Sequence, residues 1–159
     1  WVRMAARRLD RGFMILVDYG HTARELYSES HSQGTLTTFH RHVIGTVGND
    51  GCQPDAPPWL AHPGEQDITA HVDLTSVRAA AEDEGLEVCG VLDQSYFLLG
   101  LGALDDPAAG GGADALRRRL ALKTLLVPGG LGSTHKVLLL SKQVDVPSLR
   151  GTSFSTRVT

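Results

Sequence analysis

No stretch of this 159-residue sequence is apolar over anything near the ~20 residues that a membrane-spanning helix requires. Cysteine is scarce. Cys52 and Cys89 are the two, far apart and in no CxxC spacing, so neither a zinc knuckle nor a dithiol redox motif is supported, and a reducing compartment is expected. Charge of one sign is not in excess either. A formal net charge of −3 and a pI near 6.1 remove the electrostatic argument for nucleic acid or an anionic membrane as partner. There is no GxSxG elbow and no HExxH helix, which excludes the compact signatures of serine hydrolases and zinc peptidases. No internal repeat is present. What remains is a globular composition, 42% apolar and 21% charged, in a chain long enough to bury one core.

Trp1, Met4, Ala5 and Arg8 fall at helical spacing, with Gly12 as a stop. A helix under way at the first residue predicts that part of a longer protein precedes it. Phe13-Met-Ile-Leu-Val17 is a continuous apolar run bounded by Gly12 and Asp18, the pattern of a parallel strand buried on both faces. Asp18-Tyr-Gly-His21 follows at its carboxyl end, where open α/β sheets bind ligands, so Asp18 and His21 are site candidates by position. The alternative is a polar strand exit with a turn at Gly20. Gly34–Phe39 has the composition of a short strand, and His40-Arg-His42 follows it. From Gly45 to Gly64, glycine and proline recur so often that a long loop is predicted. Trp59, behind Pro57 and Pro58, is its large apolar anchor, either for a lid over a bound protein segment or for packing on the domain body.

Asp67-Ile-Thr-Ala-His-Val-Asp73 alternates at period two. Asp67, Thr69, His71 and Asp73 share one face, and Ile68, Ala70, Val72 and Leu74 the other, which predicts one half-buried strand. Thr75 then reads as the N-cap of a helix over 76–84 that ends at Gly85. The bland alternative is an edge strand with a wet face. Leu86–Leu92 is a predicted strand, and Asp93–Gly102 a polar turn and short helix presenting Phe97, Leu98 and Leu101 inward. Asp114 caps a predicted helix from Ala115 to about Thr124, with Leu116 and Leu120 on one side. Pro128–Thr134 is glycine-rich, but a strand at Lys136–Ser141 follows it. It therefore reads as a loop and not as a phosphate cradle. Residues 145–159 are polar without periodicity and are expected to fray. The fold class is α/β.

Taken in order and spacing, a series of short segments resembles the C-terminal half of the MidA family of class I S-adenosylmethionine-dependent methyltransferases. They are Asp18-Tyr19-Gly20, Gly34-Thr35-Leu36, His42, Pro63-Gly64, Asp67-Ile68-Thr69-Ala70, Val72-Asp73, Gln94, Phe97-Leu98, Leu131-Gly132 and Lys136-Val137. The resemblance covers residues 12 to about 140. Leu74 stands where the family has Phe, and Gly129-Gly130 is an insertion where Met is usual before Gly132.

That resemblance implies the C-terminal part of a Rossmann-like sheet over residues 1–144, with a polar tail over 145–159. Phe13–Tyr19 would be the fifth of seven strands. The strands near Leu86–Leu92 and His135–Lys142 would be the last two, with an antiparallel strand at the edge. It implies transfer of a methyl group from S-adenosylmethionine to a protein arginine, with the cofactor held mainly by a glycine-rich half upstream of this chain. Eukaryotic members are mitochondrial complex I assembly factors, so the compartment implied is the mitochondrial matrix in a eukaryote and the cytoplasm in a bacterium. A guanidinium calls for planar, paired acceptors, which makes Asp67 and Asp73 the catalytic pair, with His42 or Asp18 to take the proton or orient a carboxylate. Asp18, Tyr19, Thr69, Gln94 and Trp59 are the expected substrate contacts, and His71 receives no assigned role. Read as local structure instead, Asp67 makes a turn after Pro63-Gly64 and Asp73 supports the helix at Ser76.

Two other classes stand beside this one. A metal-dependent hydrolase would draw its ligands from His40, His42, Asp67 and His71. A non-catalytic interaction fragment needs none of these roles.

Overall fold

The computed structural model describes residues 1–40, 43–44, 57–60, 63–105, 112–127, 131–145 and 148–154. In chain order these form α1 (Val2–Arg8), β1 (Gly12–His21), α2 (Ala23–Leu26), β2 (Thr37–His40), β3 (Val43–Ile44), β4 (Asp67–Thr69), β5 (Val72–Asp73), α3 (Leu74–Glu82), β6 (Glu87–Asp93), α4 (Gln94–Gly100), α5 (Ala113–Leu126), α6 (Leu131–Thr134) and β7 (His135–Lys142). Single 3-10 turns lie at Glu29–His31, Pro58–Leu60 and Arg150–Thr152. Among the described residues, no helix is long and apolar enough to cross a membrane.

The fold is α/β, built on a mixed four-stranded sheet of order β5-β1-β7-β6. β7 runs antiparallel to β1, from Gly12 opposite Lys142 to Tyr19 opposite His135. It is also antiparallel to β6, which forms one edge. β5 is parallel to β1, with Gly20 opposite Val72 and His21 opposite Asp73. A Cβ at Gly20 would lie 2.4 Å from the Val72 carbonyl oxygen, so only glycine lets the two backbones come this close. A second sheet has the order β3-β2-β4.

The core lies between the sheet and the pair α1 and α3. Ala6 and Ala81 are fully buried, small enough to let those helices approach, and pack with Leu86, Leu138 and Leu140. Outside this layer Arg3 bridges to Asp83, and Arg7 grips Glu84 with two bonds of 2.8 and 2.6 Å. On the opposite face α4 and the Arg150–Thr152 turn cover β6, and α4 reaches β7.

That arrangement corrects the expected burial of β1. Phe13, Ile15 and Val17 are 41%, 52% and 49% exposed, because α4 sits over β6 and β7 and leaves that face of β1 open. The strand buried on both faces is β7, where Val137 through Leu140 are all buried between two strands and two helical layers.

Smaller expectations shift for local reasons. In α1 it is Ala6, with Val2, that meets the core, while Trp1 and Met4 are exposed. Leu101 lies beyond α4 and is exposed, whereas Phe97 and Leu98 are half-buried. Gly112 holds the cap position of α5, Asp114 lies within its first turn, and Leu116 and Leu120 face solvent. Leu131–Thr134 is a helical turn and not loop; a Cβ at Gly132 would come within 2.8 Å of the Leu125 carbonyl oxygen. In the segment expected to fray, Gly151 is buried with the Phe97 ring directly over it.

Candidate functional site

The seven-residue strand from Asp67 to Asp73 is two strands in two sheets. Asp67, Ile68 and Thr69 pair with Phe39, Thr38 and Thr37 of β2, while Val72 and Asp73 pair with β1. The chain changes sheet at Ala70-His71. Alternation predicts burial only while one sheet is followed, so here it fails: Ile68 is exposed and Thr69 half-buried. Asp67 and Asp73, placed on one face by the sequence pattern, therefore belong to different sheets.

Asp73 is occupied as the N-cap of α3. Its Oδ1 accepts from the Thr75 and Ser76 backbone N–H groups at 3.0 and 3.1 Å, and its Oδ2 from the Ser76 hydroxyl at 2.6 Å. The Ser76 hydroxyl bond, opposed by partial burial and reinforced by the backbone N–H groups, holds this carboxyl below its ordinary 3.8. Thr75, expected as the cap, instead accepts from the Ala23 backbone N–H at 2.9 Å and ties α3 to α2.

Asp67 is free of such a duty. It lines a cavity of about 450 Å³ with Tyr19, Thr35, Phe39, Thr69 and His71. Tyr19 and Thr69 are joined hydroxyl to hydroxyl, which ties the end of β1 to β4. The His71 backbone N–H donates to Thr35 Oγ1 at 3.1 Å. The Tyr19 ring meets His71 and His135 edge-on, with centroids 5.9 and 5.5 Å away. A carboxylate with hydroxyls and aromatic residues around one concavity can seat a planar cation.

The remaining expected site residues are not gathered there. Asp18 Oδ1 accepts from the Tyr19 N–H at 2.8 Å and borders a separate, largely apolar cavity of about 470 Å³ with Trp1, Ile15, Val17 and Leu74. Gln94 donates through Nε2 to the Leu125 and Leu131 carbonyls at 3.3 and 3.5 Å, so its amide fastens α4 to α5 and α6. Trp59 lies in the Pro58–Leu60 turn, next to β2, and is exposed. His42, with most of the expected lid at residues 45–56 and 61–62, lies outside the described residues.

The hydrolase ligand set is not assembled among the described residues. His40 Nδ1 donates to the Glu65 carbonyl at 2.9 Å, and Asp67 faces the cavity just described. His71 instead groups with His21 and His31. His21 lies 4.8 Å from His31 and 4.7 Å from His71, centroid to centroid. Partial burial, with the His21 and His31 charges, lowers the His71 pKa from its ordinary 6.5 against an opposing pull from Glu25. Sequence reading found His21 by its place at a strand end. It missed His31, which sits in an isolated turn with no periodicity to mark it.

Three comparisons bear on this geometry. A family model described as "Putative S-adenosyl-L-methionine-dependent methyltransferase" matches residues 1–92. A Drosophila melanogaster protein named "Protein arginine methyltransferase NDUFAF7 homolog, mitochondrial" is 30% identical over 100 residues, which is 61% of this chain and 18% of that protein. Two crystal structures of superfamily proteins from Burkholderia thailandensis, one of them bound to S-adenosyl-homocysteine, superpose with a TM-score of 0.83 at 29% identity. They cover 99% of this chain, which spans 40% and 38% of theirs.

The described residues do not fit a whole cofactor site of that kind. β1 runs through His21 into the four-residue α2, with no glycine-rich turn opening onto a long helix. The close glycine at this strand end, Gly20, meets Val72 and leaves no room for a ligand.

Proposed function

The chain belongs to the S-adenosyl-L-methionine-dependent methyltransferase family, and on that premise we propose that it forms the acceptor side of a methyl-transfer site for a protein arginine. One observation carries the reading. Asp67 is a carboxylate without a structural duty, in a cavity that the hydroxyl-linked Tyr19 and Thr69 also line. Methyl transfer needs the accepting nitrogen held in line and water kept out, so positioning is the main task of the acceptor side. Asp67 would grip the guanidinium, and the Tyr19 and His71 rings would flank it. Asp73, expected as the second carboxylate, is left to its cap. The Drosophila relative, named as a protein arginine methyltransferase, supports arginine as the acceptor. The matrix of a mitochondrion, or the cytoplasm of a bacterium, is the setting this reading entails.

Titration of the ¹⁵N-labelled chain with an arginine-bearing peptide tests it. Shifts at Tyr19, Thr69 and His71 are expected, lost in Asp67→Asn and absent with a citrulline peptide of the same sequence. Equal shifts from the citrulline peptide would refute guanidinium recognition.

A further inference from the structure

We propose that His21, His31 and His71 form a binding site for a divalent transition-metal ion of the zinc type. One ring nitrogen from each lies within 4.8 Å of those of the other two. The three come from separate elements: His21 from the last residue of β1, His31 from the 3-10 turn, and His71 from the crossing between the two sheets. An ion would therefore tie the 3-10 turn to the place where β1 and β5 pair.

Two further observations point to a ligand. The Nδ1 atom of His71 is buried without a hydrogen-bond partner, and the Nδ1 of His21 is buried with the Glu25 carboxylate at 3.0 Å as its neighbour, outside good hydrogen-bond geometry. Burying a polar nitrogen unpaired is costly, and a metal bond relieves it. His31 has its tautomer set by its surroundings. Its Nδ1 lies 2.9 Å from the Glu25 carbonyl oxygen, which can only accept, so Nδ1 carries the proton and Nε2 presents a lone pair. This outer contact from a backbone carbonyl is the arrangement that orients metal-bound imidazoles. A proton on His21 Nδ1 can be donated to the Glu25 carboxylate, which leaves the Nε2 lone pair of His21 for the ion.

The geometry needs little adjustment. Three nitrogens no more than 4.8 Å apart place a central ion at most ~2.8 Å from each, against the ~2.0–2.1 Å of a zinc–imidazole bond, so each ring closes in by about 0.7 Å or less. Side-chain rotation supplies that. Three neutral nitrogens favour zinc, cobalt or nickel over magnesium or calcium, which prefer oxygen. His71 also lines the Asp67 cavity, so a bound ion would hold one wall of that cavity in place.

The test uses the tag-free chain stripped of metal. Zinc chloride should bind at one equivalent with micromolar or tighter affinity. Imidazole ¹⁵N signals of His21, His31 and His71 should shift together while those of His40 and His135 stay. Cobalt(II) should give the visible absorption of a four- or five-coordinate nitrogen site. His31→Ala, an exposed-turn variant that spares the core, should weaken zinc at least tenfold, and His40→Ala should not. No saturable binding of zinc would overturn the proposal. So would zinc-induced shifts at other histidines, or unchanged affinity in His31→Ala. The ring shifts are read in the unmutated chain, so a variant that fails to fold does not rescue the idea.

Discussion

The two aspartates at the ends of the Asp67–Asp73 stretch should come apart on mutation. Asp73→Ala deletes the acceptor of two backbone N–H groups and one hydroxyl at the start of α3. Loss of an N-cap costs ~0.5–2 kcal/mol, and with three donors stranded the upper part of that range, about 1–2 kcal/mol, is expected. At a urea slope of about 2 kcal/mol/M the midpoint falls by ~0.5–1 M. The thermal midpoint should drop by roughly 2–8 °C for a chain of this size. Asp73→Asn keeps an acceptor at the cap and should lose only part of this, through the charge it no longer offers the helix dipole. Asp67→Ala, at an exposed position with no cap to make, should stay within about 0.5 kcal/mol.

The assays are urea unfolding of the four proteins and arginine-peptide titration of the same set. pH supplies a second arm. The Asp73 carboxyl is depressed in the folded state, so its contribution is complete above the ordinary 3.8 and is lost as pH falls through the lower folded value. Asp73→Ala should therefore cost less in acid than at neutral pH. Equal destabilisation by Asp67→Ala and Asp73→Ala, or loss of peptide binding only in Asp73→Ala, would refute the division of labour.

Gly20→Ala should cost ~1–3 kcal/mol and part β5 from β1, because the new methyl meets the Val72 carbonyl and not a yielding side chain; amide exchange at Val72 and Asp73 would report it. Ser141→Ala should stabilise the chain by about 1 kcal/mol in urea unfolding, since the Ser141 hydroxyl is buried with no partner; a loss of stability would show that it is satisfied in solution. The grip of Arg7 holds the Glu84 carboxyl below its ordinary 4.5, so that pair stabilises fully above this value and fades as pH falls through the lower folded one. Glu84→Gln should accordingly flatten the acid side of the stability profile, which urea midpoints across pH would measure.

Much of the architecture was determined by the sequence alone. Apolar runs at Phe13–Val17 and Val137–Leu140 are too short for buried helices and read as strands of an α/β sheet, and Gly85, with φ near 79°, ends its helix where a left-handed residue is needed. The family was also legible, because many short segments recur in fixed order. What local pattern could not carry was which neighbour each face would meet. Both apolar strands look alike in sequence, yet β7 is enclosed and β1 lies open on one face, because on that face α4 covers β6 and β7 and not β1. The site was decided the same way. Period two describes a side chain relative to its own strand, and the crossing at Ala70-His71 hands Asp67 to one sheet and Asp73 to another. The histidine cluster joins residues 10 and 40 positions apart, and only the packing of β1, the Glu29–His31 turn and the sheet crossing brings them within reach of one ion.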